Sequence, residues 1–389
     1  MSLARGFSSV AGTALKKTPL WNLHNESGGD MVSFGGWSLP VKYRTGIIES
    51  HAQCRETGGL FDVSHMTQLM FTGADRELFL ETITPADIQG LKERQMRLSS
   101  YLTPDGGIID DLMVVRHSAK DQVFLISNAA TKENDVKHLN DMLQKYSHMD
   151  VQIEDLSFAR ALIAVQGPGV KAAMQRLLDY DFTAQPFMSQ FFGSIEGIDV
   201  WVARSGYTGM DGVEISVDAK DGERLARILL AQPEIEAAGL GPRDSLRMEG
   251  GLCLYGSDID TTTNPIEAGL SWTISKRRKE EGGYIGAEAV NKVLEQGVVR
   301  RRVGLVIEKG APARAHSKIY AADKETLIGH VTSGIFSPTL KKPISMGYVN
   351  VPHHKKGTQV FVEVRGKMLP ASIKAMPFVE AGFYRGGSL

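Results

Sequence analysis

The run Leu102-Thr103-Pro104-Asp105-Gly106-Gly107-Ile108-Ile109-Asp110-Asp111-Leu112-Met113-Val114-Val115 decides how the fold is read. Its centre, Pro104-Asp105-Gly106-Gly107, is turn chemistry: proline presets a negative φ and glycine takes a positive one without strain. Apolar stretches flank it, Leu98–Tyr101 before and Ile108–Arg116 after, so the run is a β-hairpin and the sheet around it is antiparallel. Two carboxylates interrupt the second strand. Side chains alternate faces along a strand. Asp110 therefore goes with Ile108, Leu112 and Val114, and Asp111 with Ile109, Met113 and Val115. Both faces are apolar, so each acid needs hydrogen-bond partners or a pocket. The two do not share a pocket unless a bulge intervenes. One reading makes one of them a general base or cation stabiliser. The other makes them a turn-capping pair that accepts from the Gly106 and Gly107 amides.

Outward from the hairpin, Gly46–Thr57 reads as a helix stopped by Gly58-Gly59. Phe61–Phe71 reads as a strand and Asp75–Thr84 as a helix. Gln122–Asn128 is a strand, and Thr131–Tyr146 a helix with Thr131 as N-cap. The order then recurs: strand Ala159–Gln166, helix Val170–Leu178, hairpin Ile198–Arg204 with Gly212–Val217, helix Asp221–Leu230. Grouped strands without regular βαβ crossovers imply an α+β fold with antiparallel sheets. After Glu295-Gln296-Gly297 the chain becomes short β runs between Gly and Pro turns, which implies a small all-β barrel or jelly roll. The expected division is a leader at 1–17, two interleaved α+β domains over 18–297, and the barrel over 298–389. The Lys276–Glu281 charge run is expected as an exposed loop.

The 389 residues exceed one ordinary core. They are 42% hydrophobic and 23% charged with a net charge of −1, so the overall balance points to neither nucleic acid nor an anionic membrane. No apolar run approaches the roughly 20 residues a membrane span needs. Cys54 and Cys253 cannot make a disulfide framework or a four-ligand zinc site. The histidines lack metal-site spacing, and His65 reads as a structural histidine. Residues 1–17 contain Arg5, Lys16 and Lys17, and no acid occurs before Glu26. That pattern fits a mitochondrial transit segment; a disordered cytosolic tail is the alternative.

Two further segments carry polar residues in unusual places. In Arg204-Ser205-Gly206-Tyr207-Thr208-Gly209-Met210-Asp211-Gly212-Val213-Glu214-Ile215-Ser216, the glycines make a tight turn and allow close approach. Glu214 alternates with Val213 and Ile215 and so leaves the apolar face. The turn lacks the helix and Lys-Ser/Thr of a phosphate loop, so nucleotide binding is not expected. In Gly241-Pro242-Arg243-Asp244, proline suits a first helical position. A cation at a helix start opposes the macrodipole, so Arg243 calls for an acid or an anionic ligand.

Assembled, these segments resemble the glycine cleavage T-protein family. The matching motifs are FGGWSLPVKY (34–43), GLFDVSHM (59–66), LTPDGGIIDDL (102–112), SNA (127–129), AVQGP (164–168), RSGYTGMDGVEIS (204–216), GPRDSLRMEGGLCLYGSDID (241–260), PIEAGLSWT (265–273), RRRVGL (300–305), GHVTSGIFSPTLKKPISMGYV (329–349) and AMPFV (375–379). The resemblance implies a three-domain cloverleaf: two related α+β domains around a tetrahydrofolate channel, plus the C-terminal barrel. It implies transfer of a methylene from the aminomethyl-lipoyl arm of H-protein to tetrahydrofolate, with release of ammonia. Tetrahydrofolate is then a co-substrate, and no metal, flavin, pyridoxal phosphate or nucleotide is implied. The setting implied is the mitochondrial matrix. The family's critical carboxylate corresponds to Asp111, which leaves Asp110 structural; its folate-binding glutamate corresponds to Glu214 and its arginine to Arg243. Met66, Leu98, Asn128, Phe187, Tyr207, Trp272 and Arg302 match positions lining the channel. Two departures stand out. Met210 replaces a usual acid in the turn. Phe383-Tyr384 replaces a usual Tyr-Tyr, so a phenol bond to folate is lost at Phe383 or supplied by Tyr384.

Other classes fit less well. A folate domain fused to a dimethylglycine or sarcosine dehydrogenase would bring a flavin fingerprint, which the chain lacks. A non-catalytic folate binder of iron–sulfur assembly would carry a Lys-Gly-Cys motif, and Cys253 sits in Gly251-Leu252-Cys253-Leu254. A pure scaffold leaves the acid pair unexplained. Basic clusters at Lys276-Arg277-Arg278-Lys279, Arg300-Arg301-Arg302, Lys341-Lys342 and Lys355-Lys356 are either solvated faces or docking sites for an acidic carrier such as H-protein.

Overall fold

A computed structural model describes residues 14–117, 121–384 and 386; residues 1–13 of the expected leader lie outside them. Lys16 and Lys17, assigned to that leader, form a two-residue strand in parallel register with Trp37 and Ser38. This pairing puts the end of the expected leader inside the folded unit.

Besides the small three-stranded sheet of Lys16–Lys17, Trp37–Lys42 and Asp30–Phe34, three larger bodies of sheet organise the described residues, as the α+β and barrel reading expects. A five-stranded antiparallel sheet runs in the order Met96–Leu102, Ile108–Arg116, Val123–Ser127, Thr67–Thr72, Gln152–Asp155. A six-stranded sheet runs Ser189–Ile195, Ile198–Arg204, Gly212–Asp218, Arg160–Gln166, Gly59–Asp62, Glu236–Ala237. All its pairings are antiparallel except the last, which is parallel. The stretch read as one strand over Phe61–Phe71 is in fact two. Gly59–Asp62 belongs to the six-stranded sheet and Thr67–Thr72 to the five-stranded one. Val63–Met66 is therefore the crossing between them, because the amide of Met66 bonds the Val63 carbonyl and turns the chain.

Each sheet has an outer core and shares an inner one. Val213, Ile215 and Val217 pack outward with Leu225 and Leu229 of the Ala219–Leu230 helix. Leu112, Val114 and Leu125 pack outward with Phe79, Leu80 and Leu139. Between the sheets lie Phe61, Met70, Met96, Val115, Phe124, Ala164, Ala203 and Met210. This seam exists because both sheets are apolar on two faces, which antiparallel sheets facing water are not. The departure at Met210 follows: the side chain is 7% exposed and fills the seam, where an acid would be desolvated.

Arg300–Ile307, Leu327–Ser337, Lys342–Asn350, Gln359–Val364, Lys367–Lys374 and short Lys318–Tyr320 close a six-stranded barrel. Leu305, Ile319, Val331, Val349, Val362 and Ile373 fill it. The Leu240–Glu249 helix joins it to the sheets, with Met248 packed on Ile335, Ile344 and Met346. That helix starts two residues before Pro242. Lys276–Glu281 is a helix and not a loop. The Ser275 hydroxyl accepts from the Arg278 amide, and Arg277 binds Glu81, Asp87 and Glu281. Tertiary ion pairs and a cap, not an apolar stripe, hold it.

Candidate active site

The hairpin turn forms as expected. Gly106 takes φ +77°, and a Cβ on Gly107 would sit 1.9 Å from the Thr261 carbonyl oxygen. The glycine amides bond Thr103, through its carbonyl for Gly106 and its hydroxyl for Gly107. The acid pair is therefore not capping the turn. A bulge also precedes the pair: Tyr101 opposes Asp110 and Leu102 opposes Ile108, leaving Ile109 unpaired. Ile109 is thereby rotated onto the outer core with Leu112 and Val114, away from the Met113 side expected for it.

Past the bulge the alternation holds. Asp110 is fully buried on the outer face. It accepts from the Asn128 amide at 3.1 Å, Asn128 Nδ2 at 2.9 Å and the Thr131 hydroxyl at 2.8 Å. Thr131 was expected to cap its helix; its side chain makes no cap bond and serves Asp110 instead. Asp111 is half-buried on the face of Met113 and Val115, toward the seam. Its one side-chain donor among the described residues is Asn128 Nδ2, at 2.9 Å. The two protons of a single amide thus span two carboxylates. Burial, then the neighbouring Asp110 charge, pushes Asp111 up to about 7, while Asn128 pulls it down.

Glu214 faces the same seam from the other sheet, paired between Ala164 and Ala203. Ser205 donates to its Oε2 at 2.7 Å; Oε1 receives no hydrogen bond among the described residues. Arg243 reaches in from the first turn of its helix and lies 4.9 Å from the Tyr207 ring centroid. Its Nη1 is buried without a hydrogen-bond partner. Burial lowers its pKa, and the Glu214 charge opposes that shift. The Tyr207 hydroxyl donates to the Cys253 carbonyl. The Asp111 charge acts on both Tyr207 and Cys253, and the Arg243 charge also acts on Tyr207. His65, in the crossing segment, also feels Arg243, and burial pushes it down to about 4. It is neutral at physiological pH. Gly206 was read as room for close approach. The room is taken by Gln166, whose Oε1 would lie 1.7 Å from an added Cβ.

The remaining expected residues are distributed unevenly. Met66 packs on the seam core, and Leu98 pairs with Met113 beside Asp111. Phe187 stacks on Phe383 with centroids 4.4 Å apart and lines a cavity of about 300 Å³ with Met96, Arg97 and Met188. The Tyr384 hydroxyl is committed to the Thr183 carbonyl at 3.0 Å, and its ring lies under Arg204. Arg302 is tied to the carbonyls of Ala268 and Gly251. Trp272 is 64% exposed and is not gathered with the acids. Asp135, which the sequence analysis did not single out, is fully buried, with its Oδ2 3.3 Å from the same Thr131 hydroxyl that serves Asp110. Its position in an otherwise amphipathic helix was the only signal. No metal-holding cluster of His, Cys, Asp or Glu occurs among the described residues, and no described helix is long and apolar enough to cross a membrane.

Comparisons with known proteins agree with one another. A family model described as the GCVT N-terminal domain matches residues 20–278, and one described as the glycine cleavage T-protein C-terminal barrel domain matches 300–380. Curated relatives named "Aminomethyltransferase, mitochondrial" include one from Dictyostelium discoideum, 45% identical over 97% of this chain and 96% of its own. Another, from Mus musculus, is 44% identical over 98% and 94%. A solved structure of the glycine cleavage system aminomethyltransferase T from Bartonella henselae superposes with a TM-score of 0.89 at 36% identity, covering 95% of this chain and all of that one.

Proposed function

We propose, because this chain belongs to the glycine cleavage T-protein family, that the seam between its two sheets is the reaction site and that Asp111 is the carboxylate on which the chemistry turns. The chain is an aminomethyltransferase of the glycine cleavage system, and its setting is the mitochondrion; the matrix is the compartment we propose within it. Tetrahydrofolate is the acceptor and the lipoyl arm of H-protein the donor. The observation that carries this reading is Asp111 itself: half-buried, held by one donor, and poised near 7.

The residues fit such an acceptor. Glu214 has Oε1 without a partner among the described residues and acceptor capacity remaining on Oε2 beside Ser205, so its two oxygens can take paired N–H bonds from a 2-amino-pyrimidinone edge. Arg243 has a buried donor without a partner, suited to an acceptor atom on the same ring system. Met66, Leu98, Asn128, Phe187, Tyr207 and Phe383 supply flat or apolar walls. Arg302 acts through the carbonyls it holds, Tyr384 anchors the chain end that presents Phe383, and Trp272 stands at the outer rim.

In the transfer, the folate nitrogens give up two N–H protons as the methylene bridges them. One ends on the departing ammonia and the other on the sulfur of the dihydrolipoyl arm. A carboxylate near 7 both takes a proton from attacking nitrogen and returns it. As an anion it also stabilises the positive charge of an iminium-like carbon. Glu214→Gln tests the site. A lost charge-assisted bond of about 1.5–3 kcal/mol should weaken folate binding by about 10- to 100-fold, with kcat at saturation little changed. Unchanged folate affinity by titration calorimetry would remove the pterin from this position.

For the carrier, the structure narrows the basic clusters. Arg277, Arg278 and Arg300 are engaged with Glu81, Asp87 and Glu267, whereas Arg301, Lys341, Lys342, Lys355 and Lys356 are exposed. An acidic carrier docking on these should show kcat/KM falling several-fold as salt rises. A flat salt profile for H-protein-dependent turnover would count against that surface.

A further inference from the structure

Beyond its last barrel strand the chain crosses back to the six-stranded sheet. The amides of Phe378 and Val379 donate to the Glu249 carbonyl at 2.8 and 3.2 Å. Gly382 then pairs in parallel with Met210, and its amide donates to the Gly209 carbonyl at 2.9 Å. Tyr384 makes the last fastening among the described residues, its hydroxyl donating to the Thr183 carbonyl at 3.0 Å. Between these last two points sits Phe383, stacked on Phe187 with centroids 4.4 Å and ring planes 29° apart. Residues 376–384 are thus a strap, bonded to the turn between the Ile198–Arg204 and Gly212–Asp218 strands.

One buried cation touches the supports of both rings. Arg204 is fully buried. Its Nε and Nη2 donate to the two oxygens of Asp211 at 3.0 and 2.5 Å, a bidentate pair that compensates a charge taken out of water. Its Nη1 donates to the carbonyls of Phe182 and Gln185 at 3.2 and 2.7 Å. Those carbonyls precede Phe187, and just after it the Met188 amide donates to the Arg204 carbonyl at 2.8 Å. Arg204 therefore clasps the chain on both sides of Phe187. Its guanidinium carbon also lies 3.9 Å from the Tyr384 ring centroid and 4.3 Å from that of Phe182. With its N–H groups committed in the plane, the guanidinium offers its face to the rings.

We propose that Arg204 is a positioning residue for folate binding: it holds the Phe187 segment through backbone carbonyls and the strap through the Tyr384 ring, so that Phe187 and Phe383 meet as one aromatic wall. The proposal rests on the reading of those two rings as walls of the folate site. Phe187 lines its cavity together with Met96 and Met188, and both methionines pack on the core between the sheets. The strap belongs to neither sheet, so the place of Phe383 depends on how the strap is fastened. A ring held in place before the ligand arrives costs less to order on binding. The sequence Phe383-Tyr384 then has a physical reason. The ring that meets Phe187 is purely apolar, and the phenol that fastens the strap stands one residue later, where Thr183 and Arg204 receive it.

The test is the folate KM and kcat of methylene transfer, measured beside equilibrium folate binding in a set of variants. Tyr384→Ala should raise the folate KM by about 3- to 30-fold, with the loss in KM and not in kcat at saturating folate. Tyr384→Phe keeps the ring over Arg204 and loses only the Thr183 bond, so it should recover most of that loss. Phe383→Ala should raise KM over the same range. The double variant Tyr384→Ala/Phe383→Ala should be no worse than the worse single variant, because both changes remove the same wall. Arg204→Lys keeps a charge beside Asp211 without the planar fork, and should raise KM at least as far as Tyr384→Ala. If Arg204→Lys does not fold, the Tyr384 and Phe383 variants decide. A folate KM within about twofold of wild type in Tyr384→Ala, with only thermal stability reduced, would overturn the proposal. Additive losses in the double variant would overturn it as well. Phe383→Ala with unchanged folate affinity would instead remove Phe383 from the folate wall, the reading beneath the proposal.

Discussion

Asp111→Asn should lower methylene transfer by about 10²- to 10⁴-fold, the range for loss of a positioned general base, while folate binding falls only modestly. Asparagine keeps the size of the side chain and can still meet Asn128, so the cavity survives. It can neither accept a proton nor hold a negative charge. Single-turnover transfer from the aminomethyl carrier, measured beside equilibrium folate binding, separates the two effects. Near-normal transfer would dismiss Asp111 as the acting acid. The same substitution should raise stability at high pH. Asp111 has a folded pKa of about 7, above the ordinary carboxylate range, so the native state binds the extra proton and stability falls as pH rises from about 4 to 7. Asparagine removes that slope. At pH 8 the variant should be more stable by about 1–2 kcal/mol, with the difference vanishing near pH 4. Loss of activity with gain of stability is what distinguishes a functional acid from a structural one.

Glu249→Ala should cost about 3–5 kcal/mol, as breaking a buried ion pair does. Glu249 is fully buried at the end of its helix. It takes Arg55 Nη2 at 2.8 Å, the Ser337 hydroxyl at 2.5 Å, and the Thr339 amide and hydroxyl at 3.1 and 2.8 Å. His51 Nε2 lies 3.3 Å away. Burial alone would raise its pKa, but His51, Ser337 and Thr339 hold it at about 2. The stability it contributes is therefore complete above the ordinary glutamate range and is lost as pH falls toward 2. One carboxylate here fastens the Ile47–Glu56 helix, the central helix and the barrel. A melt of the alanine variant should show the barrel releasing first or the whole transition dropping steeply. A loss below about 1 kcal/mol would contradict the role.

What could be read from the sequence was what obeys local rules. The turn Pro104–Gly107, the alternation that buries Val213 and Ile215 and frees Glu214, and the β character beyond Gly297 all follow from φ preferences and period-two patterning. Alternation also put Asp110 and Asp111 on opposite faces, because the bulge falls before the pair and leaves their order intact; the family resemblance, not alternation, singled out Asp111. The bulge itself had no signature, since Ile109 is as apolar as its neighbours. Long-range choices were hidden. GLFDVSHM passes between two sheets, but every residue in it suits one continuous strand. Thr131 has the side chain of a cap, and only the fold shows that its hydroxyl goes to Asp110. Lys276–Glu281 lacks apolar periodicity because its anchors, Glu81 and Asp87, come from elsewhere in the chain. Asp135 stands in a first helical turn, where an acid is favourable without being buried, so its burial was not legible from its neighbours.

The burial of Cys253 within reach of the Asp111 charge has one more consequence. Burial pushes its thiol up to about 12, with the Arg302 charge opposing and that of Asp111 adding, and burial does the same for Cys54. At pH 8 a thiol with that pKa exists as thiolate in about one molecule in ten thousand, and thiolates are the species that attack disulfides. If, as proposed, the chain meets a lipoyl arm, attack by its own sulfur on the disulfide form of that arm is suppressed to the same extent.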